Sequence, residues 1–325
     1  MILTRSLESS EVPPCSAKTI KIDSQGNIWS VAFLVDGEHV VSGGEEGKIR
    51  HWRVEDGMEA GTPMVAGSWV CNIAVSRDGR RIVSGTQLGS VLSWDAENGK
   101  KVAEFKGHNS WVQAVDISPD STKIASGSFD KTACVWSLST GQRLLGPWEH
   151  GDQTFAVKFS PDGRFIATAT VEFLRIYDSY NGNLVVNVPI NVSFSLNCSL
   201  AWSSNSKHLF AVSSGNITCL DASTGATLSQ WVIHGDEYNR IALAGDSAFI
   251  AASSDSSVSF WDATTHKQIG SVIEHTGKVE CMAISTNDIV ISGGNEITLG
   301  RLCNILPSCY CDTVSTFESR TRFAA

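Results

Sequence analysis

Apolar residues in this chain fall in short runs separated by glycine, aspartate and proline, and the runs repeat. Ile28 to Phe33, Val40-Val41-Ser42 and Ile49-Arg50-His51-Trp52 form one set, with Asp36-Gly37 between the first two runs. The set recurs as Val112 to Ser118, Ile124-Ala125-Ser126 and Ala133-Cys134-Val135-Trp136. It recurs again as Phe155 to Ser160, Ile166-Ala167-Thr168 and Leu174-Arg175-Ile176-Tyr177. Valine, isoleucine, phenylalanine and tryptophan in runs this short, bounded by turn formers, read as β-strands. A helical repeat needs periodic runs of about ten residues or more, and none is present.

The period is close to forty. Trp52, Trp94 and Trp136 stand 42 apart, and Tyr177, Leu220 and Trp261 follow after 41, 43 and 41 residues. Arg77-Asp78-Gly79, Pro119-Asp120-Ser121 and Pro161-Asp162-Gly163 mark tight turns at the same phase. Four strands of about six residues with four connections of about four come to roughly 40, so each unit is a four-stranded meander. Such a meander is apolar on both faces and is stable only when neighbours cover both. Units ending near residues 52, 94, 136, 177, 220, 261 and 300 make seven. The fold expected is therefore all-β, a seven-bladed β-propeller of four-stranded antiparallel blades. The strand-like Lys18 to Ile22 is expected to supply the outer strand of the last blade and close the ring. Residues 1–17 then form an N-terminal tail, 18–302 the propeller, and 303–325 a C-terminal tail without the repeat.

Composition narrows the function classes. With 25 Lys and Arg against 34 Asp and Glu the formal charge is -9. Binding to nucleic acid draws on basic patches that displace counterions from phosphates, so no nucleic-acid partner is expected. No run reaches the ~18 apolar residues of a spanning helix, and the first residues lack the apolar region of a secretory signal. The nine cysteines include no C-x-x-C pair, and most lie singly in apolar runs. Reduced thiols in a cytosolic or nuclear protein are expected, with no membrane association, no cofactor, and a monomer outside any complex.

The stretch from Gly107-His108 to Gly141, G-H-N-S-W-V-Q-A-V-D-I-S-P-D-S-T-K-I-A-S-G-S-F-D-K-T-A-C-V-W-S-L-S-T-G, resembles the WD40 repeat. Ser160-Pro161-Asp162-Gly163, Trp94-Asp95 and Trp261-Asp262 add to the likeness. It covers about residues 18 to 302 and is strong in units two, three, four and six, with wording similar to the WD40 arrays of filamentous fungi. Unit five departs with Leu220, and unit seven with Gly300, where the family has tryptophan. The resemblance implies a β-propeller that binds other proteins.

Two constellations invite a chemical reading. His108, His150, His234 and His275 fall at one equivalent position, and Asp130 and Asp255 lie six residues before Trp136 and Trp261. With Ser126 or Ser128, and with Ser253, they make His-Ser-Asp-Trp sets that imitate a Ser-His-Asp triad. A constellation that recurs with the repeat is structural rather than catalytic, and the resemblance implies a buried hydrogen-bond network at these residues. Units one, two, four, five and seven carry Glu46, Leu88, Val171, Ser214 and Gly294 at the Asp position. Cys309-Tyr310-Cys311 with Cys303 lacks a fourth ligand for tetrahedral zinc, so no metal is expected.

The second constellation is aromatic. Trp69 and Trp111 are equivalent, and two residues further on come Trp29, Cys71, Gln113 and Phe155 at a second equivalent position. In a propeller these positions lie near the channel mouth, with Asn239, Lys278 and Glu280 completing the rim from the later units. The function expected is a non-catalytic scaffold that binds a protein or peptide at this mouth. The alternatives are a propeller-based hydrolase or lyase, or a regulatory sensor module acting in trans.

Overall fold

The computed structural model describes residues 20–23, 26–190, 199–213, 215–233, 240–244, 247–285, 289–307 and 310. They form seven four-stranded antiparallel sheets. Blades 1 to 6 span residues 28–65, 70–106, 112–149, 156–189, 199–232 and 241–274, each a meander whose strands are called a to d from the channel outward. Blade 7 takes strands a to c from Cys281–Ile284, Ile289–Gly293 and Glu296–Arg301, and its strand d from Ile20–Asp23. Ile20 pairs with Leu299 and Asp23 with Glu296, so the ring is closed by the strand expected to close it.

Alternation within the strands explains the stacking. In blade 3 strand b, Ile124 packs toward blade 2 while Ala125 packs toward blade 4, and both are fully buried. The aromatic that closes strand c faces the preceding blade in the same way. Trp52 lies among Cys281, Ile291 and Leu299 of blade 7, Trp94 among Val41, Ile49 and Met64 of blade 1, and Trp136 among Val83, Val91 and Phe105 of blade 2. In blade 4 Tyr177 holds this place, stacked on Trp148 of blade 3 at 4.2 Å.

Side chains also bond blade to blade along the channel. Ser30 Oγ accepts the Ile73 N–H at 2.9 Å, Asn72 Oδ1 the Val115 N–H at 3.0 Å, and Asp116 Oδ2 the Phe159 N–H at 2.8 Å. Each bond reaches 43 residues ahead, from one strand a to the next. The a–b turns are tied as well. Ser206 and Ser247 hold the left-handed turn position that Gly79 and Gly163 hold elsewhere, at φ 59° and 64°. A side chain costs energy there, but the two hydroxyls accept the N–H groups of Asp162 at 3.0 Å and Ser204 at 2.8 Å in the preceding blades.

The ring encloses a central channel of about 570 Å³ lined by strand a of all seven blades. One end, called the upper face, carries the d–a loops and b–c turns; the lower face carries the a–b and c–d turns.

Candidate functional site: the upper channel mouth

The polar network of blade 3 lies beneath the upper face. Trp136 Nε1–H donates to Ser126 Oγ at 2.8 Å, and Ser126 lies 2.8 Å from His108 Nε2. His108 Nδ1 lies 2.9 Å from Asp130 Oδ2, which also accepts the Asn109 N–H at 3.0 Å. One assignment of protons satisfies every atom: Ser126 O–H donates to Nε2, and Nδ1–H donates to the carboxylate. Burial holds the His108 imidazole below its ordinary range, against the pull of Asp130. Burial alone would raise the Asp130 carboxyl, but hydrogen bonds from Thr132 and Asn109 and the His108 ring outweigh it and hold it low. Ser128 caps the same turn, its Oγ bonded to the Ser110 carbonyl and accepting the Asp130 N–H.

This connectivity has the order of a Ser-His-Asp triad, yet Ser126 is 0% exposed and its oxygen is already engaged by the indole. A nucleophile needs a substrate path, and here there is none. Related half-sets occur elsewhere. Trp52 donates to Ser42 and Trp94 to Ser84. His150 Nε2 lies 2.8 Å from Thr168 Oγ1, with Nδ1 at 2.7 Å from the Trp148 carbonyl, and burial pushes that imidazole down to about 4. In blade 7 His275 Nε2 lies 2.8 Å from Ser292 Oγ.

Blade 6 differs from expectation. Trp261 Nε1–H donates to Ser259 Oγ at 2.8 Å, not to Ser253, whose Oγ accepts the Arg240 N–H at 2.9 Å. Trp136 pairs with Ile124 and Trp261 with Ile250, so the b–c hairpin of blade 6 is one residue shorter than that of blade 3. The place of Ser126 then falls to Ala252, opposite Ser259. Asp255 occupies the tight turn itself at φ 48°. His234 lies outside the described residues.

Above the networks lies a contiguous aromatic group. Trp29 and Trp69 meet edge to face at 5.0 Å, Trp69 and Trp111 likewise at 5.7 Å, and Trp29 lies nearly parallel to Trp111 at 6.3 Å. Trp111 stacks on Phe129 at 5.7 Å, and Phe129 meets Phe155 edge to face at 5.3 Å. The group crosses blades 1 to 4. Trp69 is 36% exposed and Leu88, in the adjoining b–c turn, 75%. Phe155 is buried beneath and lines the channel, as do Trp29 and Gln113. Phe129 lies in a b–c turn rather than a d–a loop, away from the equivalent positions of Trp69 and Trp111.

The opposite rim is polar. Lys278 is exposed and Glu280 half-buried, its carbonyl accepting the Arg240 Nε–H at 2.9 Å. Arg240 lines the channel, whereas Asn239 lies outside the described residues. Cys71 and Cys281, also in the channel wall, are buried thiols pushed up to about 12, which leaves them protonated and unreactive. Among the described residues no three His, Cys, Asp or Glu side chains are placed to hold a metal ion. Cys303 is exposed, and Cys309 and Cys311 lie outside the described residues. No helix among the described residues is long and apolar enough to cross a membrane.

A closed ring of seven four-stranded blades, with indoles tied to strand b in several of them, defines a propeller of the WD class. Residues 16–53, 99–137 and 225–262 match the family model of the WD40 repeat, described as WD domain, G-beta repeat. The chain carries WD40 repeats at these three segments, and propellers of this family generally serve as protein-interaction scaffolds. Each matched segment begins at strand d of one blade and ends at strand c of the next, which is why the closing strand comes from the first repeat. The matches fall at blades 1, 3 and 6, whereas the sequence likeness is strongest at two, three, four and six. No curated protein matches the chain.

Proposed function

We propose that the upper face docks a protein or peptide partner, with Trp29, Trp69, Trp111 and Phe129 as its anchor. The observation that carries this is Trp69, which is 36% exposed on top of an unbroken aromatic group beside the 75% exposed Leu88. Large aromatics fixed by their neighbours lose little freedom on binding and dominate interface energetics. Gln113 and Phe155 form the channel wall below, and Lys278 and Glu280 complete the rim and tune selectivity. The scaffold is non-catalytic, needs no cofactor, binds neither nucleic acid nor membrane, and works as a monomer outside its complexes in the cytosol or nucleus.

The test is affinity capture from cells with the wild type, a Trp69→Ala/Trp111→Ala variant and a lower-face control, Tyr180→Ala, whose ring is 90% exposed. Partners lost from the upper-face variant and kept by the control support the proposal. An unchanged set of partners contradicts it.

A further inference from the structure

Blade 7 keeps the serine and histidine that accompany the closing tryptophan of blade 3 but has no tryptophan. Gly300 pairs with Val290 as Trp52 pairs with Val40 and Trp94 with Ile82. Two positions along strand b, Ser292 occupies the register of Ser42, Ser84 and Ser126, the three serines that accept an indole N–H. Ser292 also holds the His275 ring as Ser126 holds His108. In blades 1, 2, 3 and 6 the indole fills a space against the preceding blade. Between blades 6 and 7 that space has another occupant.

The chain turns back after strand c of blade 7 through a short 3-10 turn, Leu302–Asn304. Ile305 and Leu306 then enter the cluster formed by Phe249 and Phe260 of blade 6 and Val290 of blade 7, and are 7% and 6% exposed. A Cβ placed on Gly300 would sit 3.1 Å from Ile305 Cδ1, so Ile305 stands where the indole would begin. The segment also bonds to the outer strand of blade 6, where the Ser271 N–H donates to the Ile305 carbonyl at 3.0 Å. Gly270 makes room for that crossing, since a Cβ there would lie 2.4 Å from the Ile305 oxygen. Further along, Tyr310 sets its ring edge-on to Phe249 at 6.3 Å and donates its hydroxyl to Asp262.

We propose that the seam between blades 6 and 7 is an indole site occupied in cis by Ile305 and Leu306, so that the C-terminal segment does the work of the missing tryptophan. The ring then has two clasps flanking blade 7: the N-terminal strand on its outer edge and the C-terminal segment on its blade 6 side.

The proposal is tested on the full chain by crossing Gly300→Trp with Ile305→Ser/Leu306→Ser, reading thermal unfolding and hydrogen exchange at the Ser271 amide. The double serine variant is expected to melt several degrees lower and to exchange Ser271 faster. Gly300→Trp in the wild type is expected to displace the segment, exposing Ser271 without raising the melting temperature. In the serine background the same substitution is expected to raise it, because the indole finds its vacated space. Equal effects of Gly300→Trp in the two backgrounds overturn the proposal, as does Ser271 exchange indifferent to the serines. Should the double serine chain not fold, Gly300→Trp alone decides: Ser271 must lose protection, and full retention contradicts the proposal.

Discussion

Trp136 donates its indole hydrogen to Ser126 at 2.8 Å, and that same serine oxygen lies 2.8 Å from the His108 ring. One hydroxyl thereby joins strands b and c to the d–a loop, and Asp130 completes the connection through the other ring nitrogen. Every member is buried or nearly so, and Asp130 also takes hydrogen bonds from Asn109 and Thr132, so loss of one member leaves unpaired groups in an apolar setting.

Asp130→Ala is accordingly expected to destabilise the propeller by about 1–3 kcal/mol, the usual cost of an unpaired buried polar group. Chemical denaturation measures it. Partner affinity at 25 °C should not change, because the Asp130 carboxylate is only 10% exposed and spends its bonds within the chain. A variant that unfolds like the wild type but no longer binds would make Asp130 a binding residue instead.

Acid is expected to weaken the fold before its carboxylates titrate. His150 is held neutral down to about pH 4 in the folded chain, whereas an ordinary histidine takes a proton near 6.5. Below 6.5 the unfolded chain binds the extra proton and the folded chain does not. Stability is therefore fully present above 6.5 and lost as the pH falls toward 4. For this one group the loss is at most about 3 kcal/mol, and His108 acts in the same direction. His150→Gln should flatten the fall in melting temperature between pH 6.5 and 4; an equally steep profile would assign the acid sensitivity elsewhere.

The bonds between neighbouring strands a carry their own prediction. Asp116→Ala leaves the Phe159 N–H without its acceptor and is expected to cost about 1–2 kcal/mol, whereas Asp116→Asn, which keeps an oxygen there, costs less. The ion pair to Lys158 adds little, because the lysine is 47% exposed. Urea melts of the two variants separate these contributions, and equal losses would show that the charge matters more than the acceptor.

Removal of residues 1–23 is expected to lower the melting temperature of the whole ring, since it strips blade 7 of its fourth strand and leaves Ile297 and Leu299 on an open edge. A cooperative transition at the wild-type temperature would mean that the blades hold without that closure.

Much of this architecture was legible in the chain because a repeat prints its period directly: Trp52, Trp94 and Trp136 marked strand c, and Lys18 to Ile22 announced a strand with no unit of its own. What stayed hidden depended on register. The switch from Ser253 to Ser259 in blade 6 follows from a hairpin one residue shorter, visible only once Ile250 is paired with Trp261. Phe129 joined the aromatic group because a b–c turn folds back toward a d–a loop, a contact across 18 residues that no local pattern encodes. Ile305 and Leu306 carried no repeat signal, because they replace a side chain rather than continue a strand.

The most direct measurement of which face docks is site-specific crosslinking. A photoreactive amino acid is placed at Leu88, beside Trp69 on the upper face, and in a second chain at Tyr180 on the lower face; both positions are open to solvent. The aromatic docking surface predicts partner adducts from Leu88 and none from Tyr180. Adducts from Tyr180 alone would contradict it and move the interface to the opposite end of the channel.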